Sequence, residues 1–162
     1  MNPNFTRFQK NITSPARFAF FKLIKLPAAF IAGLRIKKFT EEETIIVVKH
    51  RWINQNPFRS MYFAVQAMAA EMSTGLFAVA QTYQRHLPVS MLVIHLEGKF
   101  VKKATGIISF SCNDGRLVEE TVEQCLSDGE PRTIQCKSVG TNEDGQVVSE
   151  FIVTWSFKAK VK

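Results

Sequence analysis

The stretch from Arg59 to Arg85 constrains the fold more than any other part of the sequence. It reads RSMYFAVQAMAAEMSTGLFAVAQTYQR, and between the two arginines its only acidic or basic residue is Glu71. Good helix formers such as Ala, Met, Leu and Gln dominate the stretch, and small or apolar residues recur on nearly every face. Because a helix that is apolar all round is normally surrounded by other structure, we predict a long, buried central helix.

Membrane burial is the alternative for this stretch. Polar side chains interrupt the apolar run, however, and we therefore favour the core helix of a soluble domain that carries one buried carboxylate. An unpaired ionised carboxylate is costly to bury. Glu71 is thus expected either to pair with an Arg or Lys or reach a wet edge, or to serve as a general base or nucleophile in a cleft.

Length and composition describe one globular domain, which we place at residues 1–162. Hydrophobic residues make up 46% of the chain and charged residues 22%, and the 14 Phe indicate a core rich in aromatic side chains. The net charge of +7 is concentrated near the N-terminus, since the first forty residues contain eight basic residues and no acidic one. Such a segment suits an anionic membrane surface, nucleic acid or a phosphorylated ligand.

The three cysteines, Cys112, Cys125 and Cys136, are widely spaced and do not group with histidines in a metal-binding pattern. The sequence also lacks a Gly-rich phosphate loop. We therefore predict no metal and no cofactor. An odd number of scattered cysteines fits a reducing compartment, and we expect a cytoplasmic protein.

The N-terminal region divides into two parts. Residues 1–13 are mostly polar, and we expect a loosely ordered tail. Residues 14–32 are apolar with interspersed Lys and Arg, and they are predicted to be helical, with Ser14 as a cap and Gly33 as the end. This helical segment either packs over the domain, which we favour, or lies as an amphipathic helix on a membrane.

The rest of the chain alternates between strand and helix patterns. Two strands precede the central helix, two follow it, and a short helix over Leu117–Leu126 separates these from a final pair. The predicted strands are Leu34–Phe39, Thr44–Trp52, Val89–Phe100, Ile107–Cys112, Thr133–Val139 and Gln146–Lys158. Antiparallel strands around one central helix describe the hotdog architecture, which belongs to the α+β class.

The run NPFRSMYFAVQAMAAE resembles the signature of hotdog thioesterases of the phenylacetate-pathway type, and in particular a thioesterase-like branch known as a domain of unknown function. In that family an Asn stands six residues before a His-Gly-Gly, and an Asp or Glu follows nine residues after the His. Here Asn56 stands six residues before Tyr62, and Glu71 follows nine after it. The likeness covers most of the chain from about Ser14.

The resemblance implies hydrolysis of an acyl thioester by a helix carboxylate. Glu71 would activate a water molecule or attack the thioester carbonyl directly. The backbone N–H of Ala64, with that of Phe63, would stabilise the oxyanion from the start of the helix. Asn56 would orient its loop or hydrogen-bond the carboxylate or water. Without the resemblance, an Asn before Pro57 is equally typical of a simple cap or turn residue.

This sequence departs from the family at the His-Gly-Gly triplet, which Tyr62-Phe63-Ala64 replaces. Tyr62 would supply a hydroxyl to the oxyanion or the water, and Phe63 and Met68 would contact the acyl group. A Cβ at Ala64 narrows the approach to the backbone. The departure therefore favours, as the alternative, a non-catalytic protein that binds acyl groups or acyl-CoA.

The resemblance also suggests partners. Lys102 and Lys103 lie on a corner where relatives present basic residues to the phosphates of coenzyme A, which would enter only as part of the substrate; otherwise they are solvated charges. Because relatives pair through an open sheet edge, we expect a homodimer or a dimer of dimers. We expect no nucleic-acid partner, and weak membrane contact through residues 14–32 remains an alternative.

Overall fold

The computed structural model describes residues 2–160 and contains five helices and six strands in that range. The helices are α1 (Phe5–Ile12), α2 (Pro15–Lys25), α3 (Pro27–Ala32), α4 (Phe63–Thr82) and α5 (Gly115–Asp128). The strands are β1 (Arg35–Phe39), β2 (Thr44–Lys49), β3 (Val89–Phe100), β4 (Ile107–Cys112), β5 (Arg132–Thr141) and β6 (Val147–Ala159).

The strands form one antiparallel sheet in the order β1-β2-β4-β5-β6-β3. The long helix α4 lies against the sheet and contacts β2, β4, β5 and β6, while α5 packs beside it. This arrangement of one long helix within an antiparallel sheet confirms the predicted α+β hotdog class. Strands β1 and β3 are the two edges of the sheet.

Helix α4 is the core helix that the sequence predicts. Its length and hydropathy would suffice to cross a membrane, but 67% of its most apolar 18-residue segment is buried inside the fold. Two of the polar residues that interrupt the helix, Ser73 and Thr74, have hydrogen-bond partners on the sheet. Ser73 Oγ hydrogen-bonds to Ser138 Oγ at 2.8 Å, and Trp155 Nε1 donates to Thr74 Oγ1 at 2.9 Å. These two hydroxyl groups of α4 are therefore paired inside the core, as burial requires.

The prediction of a loosely ordered tail over residues 1–13 is wrong for residues 2–13. Phe5, Phe8 and Ile12 recur at helical spacing and are all buried on the inner face of α1. The Asn2 side-chain amide donates to the carbonyl oxygens at the end of α4, at 2.7 Å to Ala80 and 2.8 Å to Tyr83. These carbonyls have no partner within their own helix. The N-terminal helix is therefore part of the core.

Residues 14–32 form α2 and α3, with a break at Leu26 and Pro27. Gly33 ends α3 with a φ of 82°, the left-handed conformation that glycine adopts without strain. Helix α3 contacts α4, and α1 contacts both α2 and α4. The preferred prediction, that this segment packs over the domain, is confirmed for the inner sides of the two helices, whose buried residues are Phe18, Lys22, Ala29 and Ala32.

The predicted strand Thr44–Trp52 is too long. Strand β2 ends at Lys49, and residues 52–54 form a single 3-10 turn. The buried Asn54 closes this turn: its Oδ1 accepts the Arg51 N–H at 2.8 Å, and its Nδ2 donates to the Lys49 carbonyl at 2.9 Å. The turn directs the chain into the loop that precedes α4.

Candidate functional site

Glu71 lies in the middle of α4, and its carboxylate occupies the space beside Gly75, one helical turn later. A Cβ built on Gly75 would lie 3.1 Å from Glu71 Oε1 and 3.1 Å from the Trp155 ring. Glycine at this position therefore makes room for the carboxylate against the indole. A glycine one turn after the only charged residue of an apolar helix is a sequence signal that points to this arrangement.

The Glu71 carboxylate forms no ion pair or hydrogen bond with any other residue in the range 2–160. The structural pair with Arg or Lys is therefore absent from this part of the chain, whereas the half-buried position of Glu71 leaves open the other expectation, that its carboxylate reaches a wet edge. Burial raises the pKa of Glu71 above its ordinary value of 4.5, because the apolar surroundings disfavour the charged form. A carboxylate with a raised pKa is a stronger proton acceptor once it is ionised.

An otherwise apolar cavity of about 210 Å³ adjoins Glu71. Its volume exceeds that of an engineered apolar cavity of roughly 150 Å³ that binds benzene. The walls come from α1, α2, α4, β3 and β6. Besides Glu71 and Gly75 the lining residues are Phe8, Ile12, Phe18, Phe21, Leu26, Met72, Leu76, Val79, Met91 and Trp155. The sequence analysis missed these ten residues, since they are brought together from distant parts of the chain.

A second concave surface lies at the start of α4. This groove, of about 610 Å³, brings together five of the predicted site residues, namely Asn56, Tyr62, Phe63, Lys102 and Lys103. Aromatic rings form its apolar part: the centroids of Tyr62 and Phe63 are 4.7 Å apart, and those of Phe63 and Phe100 are 6.4 Å apart. Met68 packs half-buried against the core and lines neither concavity.

Asn56 organises the loop before α4. Its Oδ1 accepts the backbone N–H groups of Phe58 at 3.0 Å and Ser60 at 3.2 Å, and its Nδ2 donates to Ser60 Oγ at 3.1 Å. None of its hydrogen bonds within residues 2–160 reaches Glu71. Of the roles considered for Asn56, the structure supports orientation of the loop.

We expect Asn56→Ala to lower the free energy of unfolding by about 1–3 kcal/mol, the cost of leaving partly buried donors without an acceptor. Chemical denaturation measures this change. Asn142→Ala is the matched control, because Asn142 accepts two backbone N–H groups in an exposed hairpin turn, where water replaces the amide. Equal effects of the two substitutions would contradict a special role for the Asn56 loop.

The first turn of α4 presents two free backbone donors. The Tyr62 carbonyl accepts the N–H groups of Val65 at 3.0 Å and Gln66 at 3.3 Å. The N–H groups of Phe63 and Ala64 have no acceptor within residues 2–160. Such donors, together with the helix dipole, make the start of a helix favourable for a negative charge.

Within one chain, Ala64 and Glu71 do not face the same cavity. Seven residues separate them along α4, which is about 10 Å at 1.5 Å per residue. Ala64 follows the groove residues Tyr62 and Phe63, whereas Glu71 borders the apolar cavity. One copy of the chain therefore holds the predicted oxyanion donor and the predicted base at two separate places.

Lys102 and Lys103 lie at the corner between β3 and β4, and both are exposed. Lys102 Nζ donates to Gln146 Oε1 at 2.5 Å, and Lys103 Nζ donates to the Phe58 carbonyl at 3.2 Å. Neither ammonium pairs with a carboxylate in the described part of the chain. The rim of the groove thus carries two positive charges that neutral acceptors hold in place.

Solved structures with this fold are numerous. A protein from Pseudomonas aeruginosa described as of unknown function and a probable thioesterase superposes with a TM-score of 0.75, at 18% identity over 92% of this chain and 99% of that one. A thioesterase from Haemophilus influenzae gives a TM-score of 0.62 at 13% identity, over 88% and 90% of the two chains.

The Escherichia coli PaaI protein from the phenylacetic acid degradation operon gives a TM-score of 0.63 at 11% identity, over 93% and 92% of the two chains. No protein-family model matches the sequence, and no curated protein matches it significantly. At these identities the similarity establishes the fold. The chain has the hotdog fold that thioesterase-like proteins of this kind share.

Proposed function

We propose that this protein hydrolyses an acyl thioester with Glu71 as the catalytic carboxylate. The observation that carries the proposal is an unpaired carboxylate with a raised pKa beside an apolar cavity. Its position on the central helix of a fold shared with thioesterases adds support. Perturbed carboxylates in apolar cavities are characteristic of sites that transfer protons.

In the proposed reaction Glu71 accepts a proton from a water molecule while the water oxygen bonds to the thioester carbonyl carbon. The carbonyl oxygen becomes negative and accepts hydrogen bonds from the backbone N–H groups of Ala64 and Phe63 at the start of helix α4. The C–S bond then breaks, and the sulfur leaves with the proton that Glu71 accepted. Direct attack by the carboxylate is the alternative first step, with water releasing the acyl group afterwards.

The separation of Ala64 from Glu71 supports an active site shared between two copies of the chain. Strand β3 pairs with β6 along one side and leaves its other side open at the edge of the sheet. The side chains of Leu92, Ile94 and Leu96 on this strand are exposed. An open apolar edge is suited to pairing with a second copy. We therefore include a homodimer, or a dimer of dimers, in the proposed function.

We infer the substrate class from the two concavities. The apolar cavity suits the acyl group, while the groove with Lys102 and Lys103 suits the phosphates of coenzyme A or of a carrier-protein arm. Coenzyme A would then be part of the substrate rather than a cofactor. The cytoplasmic location remains a prediction and agrees with such a substrate.

The direct test is a hydrolysis assay with short, medium and long acyl-CoAs. We expect turnover with a preference for short acyl groups, because about 210 Å³ is less than the roughly 300–1,000 Å³ of ordinary ligand pockets. Absence of turnover on every chain length and on carrier-protein thioesters would contradict the proposal.

The double substitution Lys102→Ala and Lys103→Ala is expected to raise KM for acyl-CoA about two- to thirtyfold, since each of the two exposed charge pairs contributes about 0.2–1 kcal/mol. The matched comparison is the corresponding acyl-pantetheine, which lacks the phosphates and should show an unchanged KM. Lys158→Ala, on β6, controls for the loss of a positive charge elsewhere. An equal change in KM for both substrates would show that the phosphates of coenzyme A do not contact Lys102 and Lys103.

Acyl binding without hydrolysis is the second candidate function. The side chains at the start of α4 favour it, because the rings of Tyr62 and Phe63 line the groove where the family signature has His and Gly. It predicts that calorimetry detects binding of an acyl-CoA that remains intact after prolonged incubation. Measurement of free thiol in the same samples distinguishes the two functions.

A further inference from the structure

Helices α2 and α3 expose large apolar side chains to solvent. Phe20, Ile31 and Ile24 are 66%, 59% and 56% exposed, and Leu23, Leu26 and Phe21 are also exposed. These six residues form the N-terminal apolar face. Contiguous apolar surface of this kind is uncommon on a soluble protein and marks an interaction site.

Helix α2 buries a lysine beside Phe18 and exposes several large apolar side chains. Lys22 is only 5% exposed; its Nζ donates to the Leu34 carbonyl and lies 4.7 Å from the centre of the Phe18 ring. The neighbouring Phe20, Leu23 and Ile24 point outward instead. Burial of a lysine while apolar neighbours remain exposed is costly in water. The arrangement is favourable where the outer surroundings are themselves apolar.

The charges around the face select an anionic partner. Arg17 and Lys25 line a shallow groove of about 450 Å³ together with Phe20, Phe21 and Ile24. No acidic residue occurs among residues 2–40. A second copy that docked through the same face about a two-fold axis would bring equal positive charges together. An anionic bilayer supplies both an apolar interior and a negative surface, and basic residues near such a surface each add to binding.

The face is continuous with the cavity at Glu71. Phe21 and Leu26 are 40% and 41% exposed, and both also line that cavity. These two side chains therefore border both the outer surface and the apolar space beside the carboxylate. An acyl chain that leaves a bilayer under α2 would remain in apolar surroundings along this route.

We propose that the N-terminal apolar face docks the protein on an anionic membrane surface and that Phe21 and Leu26 line the passage by which an acyl chain reaches Glu71. The docking part stands on the exposed surface and its charge alone. The passage rests on the proposed function, since it assigns the acyl group to the cavity beside Glu71.

Sedimentation of the full chain with phosphatidylcholine vesicles, with and without phosphatidylglycerol, tests the docking. We expect binding only to the vesicles that contain phosphatidylglycerol, and weaker binding as salt is added. Phe20→Ser with Ile24→Ser should reduce vesicle affinity at least tenfold. Arg17→Glu with Lys25→Glu should reduce it at least tenfold too, since each basic residue near an anionic surface contributes about fivefold. Leu117→Ser, at an exposed leucine on α5, is the matched control and should bind like the wild type.

Two results would overturn the docking. One is the absence of binding to phosphatidylglycerol vesicles, or binding that the Phe20 and Ile24 substitutions leave unchanged. The other is a fall in the oligomeric mass of that double variant by light scattering, which would show that a second copy covers the face. Circular dichroism of each variant confirms that the fold is retained.

Hydrolysis of a short acyl-CoA without vesicles separates the docking from the proposed function. The Phe20 and Ile24 variant should match the wild type there, because these side chains do not line the cavity. When a long-chain acyl-CoA is presented on anionic vesicles, the wild type should be at least tenfold faster than this variant. Equal rates of the wild type and this variant on vesicles would overturn the passage. If the wild type did not hydrolyse the short acyl-CoA without vesicles, that result would contradict the proposed function alone.

Discussion

Glu71→Gln is expected to lower kcat for thioester hydrolysis by about 10²–10⁴-fold, the contribution typical of general acid–base catalysis, while the protein stays folded. Glutamine has the same shape as glutamate and fits the space beside Gly75, but its amide cannot accept the proton of the attacking water. Steady-state rates on the best acyl-CoA measure the effect. Glu120→Gln, at an exposed glutamate of α5, is the matched control and should retain full activity.

The pH dependence of the wild type follows from the same carboxylate. The base must be ionised to act, and burial raises the pKa of Glu71 above 4.5. We therefore expect kcat/KM to increase with pH and to level off only above that raised pKa. The residual activity of Glu71→Gln should lack this rise. A pH profile with the same acidic limb in the variant would assign the titration to another group.

Stability should change in the opposite direction to activity. Because the pKa of Glu71 is higher in the folded state than the ordinary value of 4.5, the folded state binds this proton more tightly. The contribution to stability is complete below about pH 4.5 and is lost as the pH rises through the folded-state pKa. At neutral to alkaline pH we expect Glu71→Gln to be more stable by about 1–3 kcal/mol, since it removes an unpaired buried charge.

Urea denaturation of both proteins across this pH range measures the difference. The two curves should converge in acid, where Glu71 is protonated, and diverge as the pH increases. A variant that is less stable than the wild type at neutral pH would show that Glu71 has a stabilising partner. That outcome, combined with unchanged hydrolysis, would make Glu71 a structural residue.

Phe5→Ala is expected to lower the free energy of unfolding by about 3–5 kcal/mol, the usual cost of removing a buried phenylalanine ring. Phe5 is 1% exposed, and the centre of its ring lies 5.4 Å from that of Phe39 on β1. The loss would leave a cavity between α1 and the sheet. Equilibrium unfolding in urea, at a pH where the wild type is most stable, provides the measurement.

Phe20→Ala is the matched control for this substitution, because the same ring is removed from an exposed position of α2. Its effect on stability should stay within about 0.5 kcal/mol. If Phe5→Ala were equally mild, the N-terminal segment would behave as the loosely ordered tail that its composition suggests, and α1 would not belong to the core.

The central helix could be predicted from the sequence because its signal is local. The stretch around α4 contains strong helix formers with apolar residues on all faces, and such a segment has no stable alternative outside a core. The signals for the strands and the turns between them are likewise local sequence patterns. The order of six strands around one helix then leaves few possible folds with a single sheet. Glu71 stood out for the same reason, as the one charge in an apolar run.

The surroundings of Glu71 depend on residues that the sequence separates widely. Trp155 lies 84 positions after Glu71 and packs beside its carboxylate through β6, and Phe8 and Ile12 reach the same cavity from α1. A periodic pattern shows that one side of an element is buried, but it does not name the partner. For that reason the lack of a counter-ion at Glu71 could not be predicted.

The N-terminal helices show the same limit most clearly. The polar composition of residues 1–13 predicted a loose tail and missed the three buried positions of α1. The prediction that residues 14–32 pack over the domain did not say which side chains of α2 face inward, and the structure buries Lys22 and exposes Phe20. The sequence by itself determined the central helix, the strands and the one carboxylate, because these depend on neighbours within a few residues. The tertiary structure alone decided the cavity beside Glu71 and the outward face of α2, because each depends on which distant segments pack against one another.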